Sequence, residues 1–223
     1  MLVQFFVSFI RKATTVFPEK YVTEDFTSYD MRGSTHSSNL INSIVVPRPI
    51  ALITSKGLNG VVNAAPFSYF NAVCTEPHLV SIAIQQRSGE RKDTARNVLA
   101  SKEFVINICS LNLAKSVSIA GGDFPPEVSE VELANLSLLP SQKISVPRIA
   151  NTLIQMECIL DQVIEVRKGI ADLILAEVVR IHIHNDILNH SGYVDVQKLN
   201  PLARLTGIAY AKVDPFCEIP RGL

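Results

Sequence analysis

Tryptophan is absent from this 223-residue chain, and so is any excess of one charge: Lys plus Arg number 21 and Asp plus Glu number 21. There is no basic run and no Lys/Arg stripe interleaved with aromatics. That argues against a nucleic-acid partner, because phosphate neutralisation dominates such affinity. Cysteine is sparse. Cys74, Cys109, Cys158 and Cys217 are far apart, with no C-x-x-C pair. They read as reduced, mostly core thiols, which points to a reducing compartment and a cytoplasmic protein. Glycine-rich phosphate loops are missing: neither G-x-G-x-x-G nor G-x-x-x-x-G-K-[ST] occurs. So are the G-x-S-x-G elbow and the H-E-x-x-H helix, which leaves no nucleophile or zinc-protease motif.

Long apolar runs are also lacking. Met1 to Ile10 is apolar, but it is about half of the ~20 residues a membrane span needs, so no membrane partner is expected. No basic segment precedes it and no clean small-residue cleavage site follows, which speaks against a signal peptide. It reads as an arm that docks on the body of the protein or on a partner subunit, or as an arm from an upstream start codon, with Met31 available further in. Residues 1–35 are accordingly expected to be an N-terminal extension and residues 36–223 one domain.

What is present is hydrophobic strand. The chain is 47% hydrophobic, enough for a substantial core without disulfides or metal. Ile50 to Thr54 is β-branched and apolar, and it follows two prolines, Pro47 and Pro49, which fit only an edge or an irregular entry. Lys56 to Gly60 reads as a turn, with a return strand beginning at Val61 to Asn63. Leu79 to Gln86 alternates, and Phe104, Ile106 and Ile108 repeat that period. Leu153 to Val166 and Leu173 to His184 read as an antiparallel hairpin around Gly169. Helices are few and short: Thr94 to Ala100, with Asp93 as N-cap, and Asn112 to Ala120, ended by Gly121-Gly122. Asp123 to Pro147 reads as loop. Many strands and two small helices point to a barrel or sandwich.

His182 and His184 share one strand face with Arg180, and His190 is near in sequence. A metal site needs three or four converging ligands, so the plainer reading is the wet side of a strand, and no metal is expected.

Two segments carry chemistry. In Asn63-Ala64-Ala65-Pro66-Phe67-Ser68 the small residues admit a flat ligand close to the main chain, and Asn63, Ser68 and backbone groups can bond a polar ring edge. A bulged edge strand explains the same residues. In Arg87-Ser88-Gly89-Glu90-Arg91-Lys92-Asp93-Thr94 a strand hands over to a helix start, where free N–H groups, Lys92, Arg87 and the Thr94 hydroxyl favour an anion. A solvated charged loop with Asp93 as a cap is the plainer reading of the same residues.

The ordered set decides between these readings. Pro47-Arg48-Pro49-Ile50-Ala51-Leu52, then Asn63 to Phe70, then Lys92-Asp93-Thr94 with Asn97, then Glu103 to Asn107, resembles the flavin reductase-like family of FMN-binding split barrels. The resemblance resumes at Val146-Pro147-Arg148, Glu157-Cys158, Glu177-Val178-Val179 and Pro201 to Leu205 with Tyr210, and so spans roughly residues 40 to 212.

The resemblance implies a mainly β protein: a six-stranded antiparallel Greek-key split barrel with a few short helices, homodimeric, with FMN at the subunit interface. It implies Arg48, Ser68, Lys92 and Thr94 near the phosphate and ribityl chain, the Asn63–Ser68 backbone along the isoalloxazine, and Pro49, Arg87 and Asp93 beside them. Arg204 is a weaker carry-over, and no catalytic residue is assigned. The implied function is an FMN-dependent oxidoreductase of flavin reductase or flavoprotein oxygenase type, with NADH or NADPH as donor and a small-molecule redox substrate. An FMN-binding electron carrier without nicotinamide turnover is the competing function, and a cofactor-free structural barrel is a third.

Overall fold

The computed structural model describes residues 28–32 and 37–215. The chain divides into two units, Met1–Ser38 and Asn39–Leu223, and the barrel lies in the second. The apolar run Met1 to Ile10, and Cys217, fall outside the described residues.

Helix α1 (Ser37–Ile44) leads to β1 (Arg48–Pro49), β2 (Ala51–Lys56), β3 (Val62–Phe67), β4 (Phe70–Thr75) and β5 (His78–Gln85). Then come α2 (Asp93–Ser101), β6 (Glu103–Ile108), α3 (Ala114–Ala120), α4 (Glu130–Leu133), β7 (Leu138–Leu139) and β8 (Arg148–Ile149). The long hairpin β9 (Ile154–Arg167) and β10 (Ala171–Ile183) is followed by α5 (Val196–Leu199), β11 (Leu202–Arg204) and β12 (Tyr210–Lys212).

The main sheet has seven strands rather than six, in the order β3-β2-β6-β9-β10-β5-β4. The strands at its two ends, β3 and β4, are separated in sequence only by Ser68 and Tyr69. The two ends of the sheet therefore join at these residues, and the Ala83 amide donates to the Tyr69 carbonyl at 2.9 Å, extending the β4–β5 ladder to the corner. The expected strands all form within a few residues of their predicted bounds. The hairpin turns at Gly169, where φ is +74° and a Cβ would be disfavoured.

Burial explains why the strand patterns differ. The β5 side chains alternate because one face fills the barrel with Val80, Ile82 and Ile84. In β2 every residue from Ala51 to Ser55 is buried. Ala51 and Ile53 join Phe104, Ile106, Cys158 and Ile174 inside the barrel, where Ala95 and Val98 of α2 also pack. Leu52, on the opposite face, packs with Val117, Val131, Ile149 and Leu202 beneath α3 and α4. Removing such a side chain from either cluster costs about 2–5 kcal/mol.

Several local expectations need correction. Lys92, not Asp93, is the N-cap of α2, and Asp93 is its first helical residue, ion-paired with Arg96. The Asp123–Pro147 stretch contains α4, and two further helices, α1 and α5, form in addition to the two expected ones. Cys74 is exposed on β4, unlike the buried thiols Cys109 and Cys158. His182 does not face open water: its Nε2 lies 2.6 Å from the buried Glu157 Oε1. His184 instead caps a short 3-10 turn at Asn185–Ile187. Among the described residues no group of side chains could hold a metal ion.

Candidate functional site

Strand β3 is an end strand of the sheet, so its outer edge lacks a ladder partner. The first half of that edge is sealed by the segment leading into α4. Ser129 Oγ donates to the Val62 carbonyl at 2.6 Å, and the Ala64 amide donates to Glu130 Oε2 at 3.3 Å. The second half, from Ala65 onward, opens onto two clefts. Pro66 suits this place, since an edge position loses no ladder bond to its missing N–H.

The larger cleft, about 620 Å³, is lined by Arg48, Pro66, Phe67, Ser68, Tyr69, Lys92, Ser118, Gly121, Arg204 and Tyr210, among others. The smaller, about 270 Å³, is lined by Asn63, Ala65, Pro66, Phe67, Arg87, Lys92, Asp93, Thr94 and Phe124, among others. Pro66, Phe67, Lys92 and Gly121 border both. The larger volume lies in the usual range for cofactor pockets.

Two of the expected site residues do not reach either cleft. Pro49 pairs with Ala203 in the small sheet of β1, β11 and β12. Ala64, within β3, is fully buried, with its amide taken by Glu130.

Others reach the clefts with their polar atoms already engaged. Arg48, which the resemblance puts near the phosphate, is buried and does not hold an open fork of donors toward the cleft. Instead its Nη1 donates to the Asn42 and Val45 carbonyls at 2.7 Å each, its Nη2 to the Leu205 carbonyl at 2.8 Å, and its Nε to Ser68 Oγ at 3.3 Å. A guanidinium has five donors, so one N–H remains for a ligand. Thr94 Oγ1 donates to Asn63 Oδ1 at 2.8 Å, and both residues are buried. Asn63 Nδ2 in turn donates to both oxygens of Glu130, at 2.8 and 2.9 Å. Burial pushes the Glu130 carboxyl above its ordinary range, against the bonds it accepts from backbone amides and Asn63.

The arginines around the smaller cleft are also committed: Arg87 to Asp123, Arg91 to Asp172, Arg96 to Asp93. Lys92 is different. It is exposed, it borders both clefts, and among the described residues it forms no ion pair. Behind it the first turn of α2 presents N–H groups at the positive end of a nine-residue helix.

Sequence reasoning missed Tyr69, Ser118 and Glu130. Tyr69 donates its hydroxyl to Asn42 Oδ1 at 2.6 Å, which fixes one wall of the larger cleft. Glu130 acts across 66 residues of sequence, and no local pattern marks it.

The family model "Flavin reductase like domain" matches residues 43–199. A protein of Halalkalibacterium halodurans with no described activity is 39% identical over 82% of this chain and 89% of its own length. One of Aquifex aeolicus is 36% identical over 81% and 91%. Among solved structures, nitrilotriacetate monooxygenase component B from Bacillus cereus superposes with a TM-score of 0.85 at 35% identity, covering 88% of this chain and 100% of that one. The 2-nitrobenzoate 2-nitroreductase of Pseudomonas fluorescens gives 0.80 at 33% identity, covering 88% and 98%. With seven curling strands, an open half-edge on β3 and a family match over most of the described residues, the chain belongs to the flavin reductase-like family of split-barrel proteins.

Proposed function

We propose that this chain is an FMN-binding oxidoreductase that takes hydride from NADH or NADPH and passes electrons to a small-molecule acceptor, acting as a homodimer. The observation that carries the reading is Lys92: an ammonium with no carboxylate partner among the described residues, at the junction of two clefts and at a helix start.

The residues fit FMN part by part. A phosphate monoester carries close to two negative charges, and Lys92 with the first N–H groups of α2 suits it. The open half of the β3 edge and the flat Pro66-Phe67 wall suit a planar ring with a polar rim. Ser68 and the remaining N–H of Arg48 suit the polyol between them. When bound, FMN supplies the hydride and electron chemistry, and the protein's part is to bind, orient and exclude water. That division of labour agrees with a sequence that carries neither a G-x-S-x-G elbow nor an H-E-x-x-H helix. The names of the two similar solved proteins, a monooxygenase component and a nitroreductase, accord with redox chemistry on a small molecule.

Apolar side chains exposed on the strands support the dimer. Ile159, Ile164 and Val166 on β9, Ile181 on β10 and Val73 on β4 are each at least 40% exposed, apolar surface that a second copy would cover.

The test is anaerobic titration of the purified full chain, loaded with FMN, with NADH and with NADPH. Bleaching of the flavin absorbance by either is the expected result. FMN binding without bleaching by either donor would make the protein an electron carrier. Absence of FMN binding would remove the reading altogether.

A further inference from the structure

The segment Gln86–Lys92 leaves β5, turns, and delivers the chain to α2. Its turn is closed by Arg87 and Glu90, whose amides and carbonyls exchange two bonds of 2.8 Å each. The turn rests on a single buried carboxylate. Asp172 of β10 has no exposed surface and accepts from Arg91 Nε at 2.9 Å, from Arg91 Nη2 at 3.0 Å and from Gln86 Nε2 at 3.2 Å. One side chain thus grips both ends of the segment. The pairing of β9 with β10 shifts register between Ala171 and Asp172, so a bulge re-aims the strand at this residue.

Packing alone does not call for this arrangement. The residue beside Asp172 across the β5–β10 ladder is Ile84. A buried ion pair can often be replaced by apolar side chains without loss of stability, and its best-attested use is to set register. The register set here is that of Lys92, which follows Arg91 directly and caps α2.

We infer that the Asp172–Arg91 pair is a positioning device that makes the site select phosphorylated over unphosphorylated flavin, by holding Lys92 and the first turn of α2 against the clefts. The bidentate fork is what matters: it fixes the Arg91 side chain in direction as well as distance. The inference rests on the proposed binding of FMN.

The test is a double-mutant cycle on the full-length apo-protein, read by titration with FMN and with riboflavin. Arg91→Lys keeps a cation opposite Asp172 and loses the fork. Expected is a fall of about tenfold in FMN affinity with riboflavin affinity unchanged, and no further fall when Arg91→Lys is added to Lys92→Ala. A second variant, Asp172→Leu with Arg91→Met, replaces the pair by apolar side chains. It is expected to melt near the wild-type temperature and still lose its preference for FMN. Equal losses for the two flavins, additive effects of Arg91→Lys and Lys92→Ala, or retained selectivity in the apolar double variant would each overturn the inference and leave the pair as a structural element. If Lys92→Ala alone leaves the ratio of FMN to riboflavin affinity unchanged, the phosphate reading of Lys92 fails, and the inference falls with it.

Discussion

The Thr94 hydroxyl donates to Asn63 Oδ1 at 2.8 Å, and the Asn63 amide donates to both oxygens of Glu130. A residue in the first turn of α2 is thereby tied through β3 to α4. The hydroxyl that seemed available for a phosphate is spent inside the protein, on the support beneath the site. Thr94→Val removes a donor from a buried acceptor, whose other side-chain donor, Ser55 Oγ, is at 3.4 Å. The expected cost is about 1–3 kcal/mol in a denaturant melt, with the preference for FMN over riboflavin unchanged. A selective loss of FMN would return Thr94 to the phosphate.

Lys92→Ala removes an exposed ammonium that forms no ion pair among the described residues. Hydrogen bonds to charged groups contribute ~1.5–3 kcal/mol, so FMN is expected to bind about ten- to a hundredfold more weakly. Riboflavin, which lacks the phosphate, is expected to bind as before. Titration of apo-protein with both ligands checks this, and a parallel fall for both would place Lys92 in the ring pocket or in folding.

Acid stability is expected to depend on Glu157. Burial works against its charged form, but bonds from the Gln142 amide, His182 and the Lys143 amide outweigh that and hold its pKa below the ordinary 4.5. For a carboxyl lowered on folding, the stabilisation is complete above the unfolded value and is lost as pH falls through the folded one. Glu157→Gln is therefore expected to be less stable than wild type at neutral pH. The gap should close as pH falls below the ordinary carboxylate range and the wild-type carboxylate takes up its proton. Denaturant melts across that range check it; a gap that does not narrow would mean the carboxylate charge contributes nothing.

The quaternary prediction concerns mass. Light scattering at micromolar concentration is expected to give two chains of 24.5 kDa each. A single-chain mass would remove the interfacial placement of FMN implied by the family resemblance, while leaving the clefts within one chain to be tested on their own.

The strands were legible in the sequence because each is a local pattern: alternation in β5, a continuous apolar run in β2, a glycine turn between β9 and β10. The family could be identified because several short segments recur in order, although each is weak alone. Ten of the twelve expected cofactor-binding residues line a cleft, since the strand edge and the helix start are each one continuous run of the chain. Which of their polar atoms remain available was decided by partners far away in sequence: Leu205 for Arg48, Glu130 for Asn63, Asp123 for Arg87. A sequence states which donors a chain possesses. Their assignment depends on which carbonyls and carboxylates the closed barrel brings within about 3 Å, because a buried polar group must be satisfied by whatever lies next to it. Among the described residues, tertiary packing supplied a carboxylate to each arginine around the smaller cleft and none to Lys92, which is why the proposed phosphate site centres on this lysine.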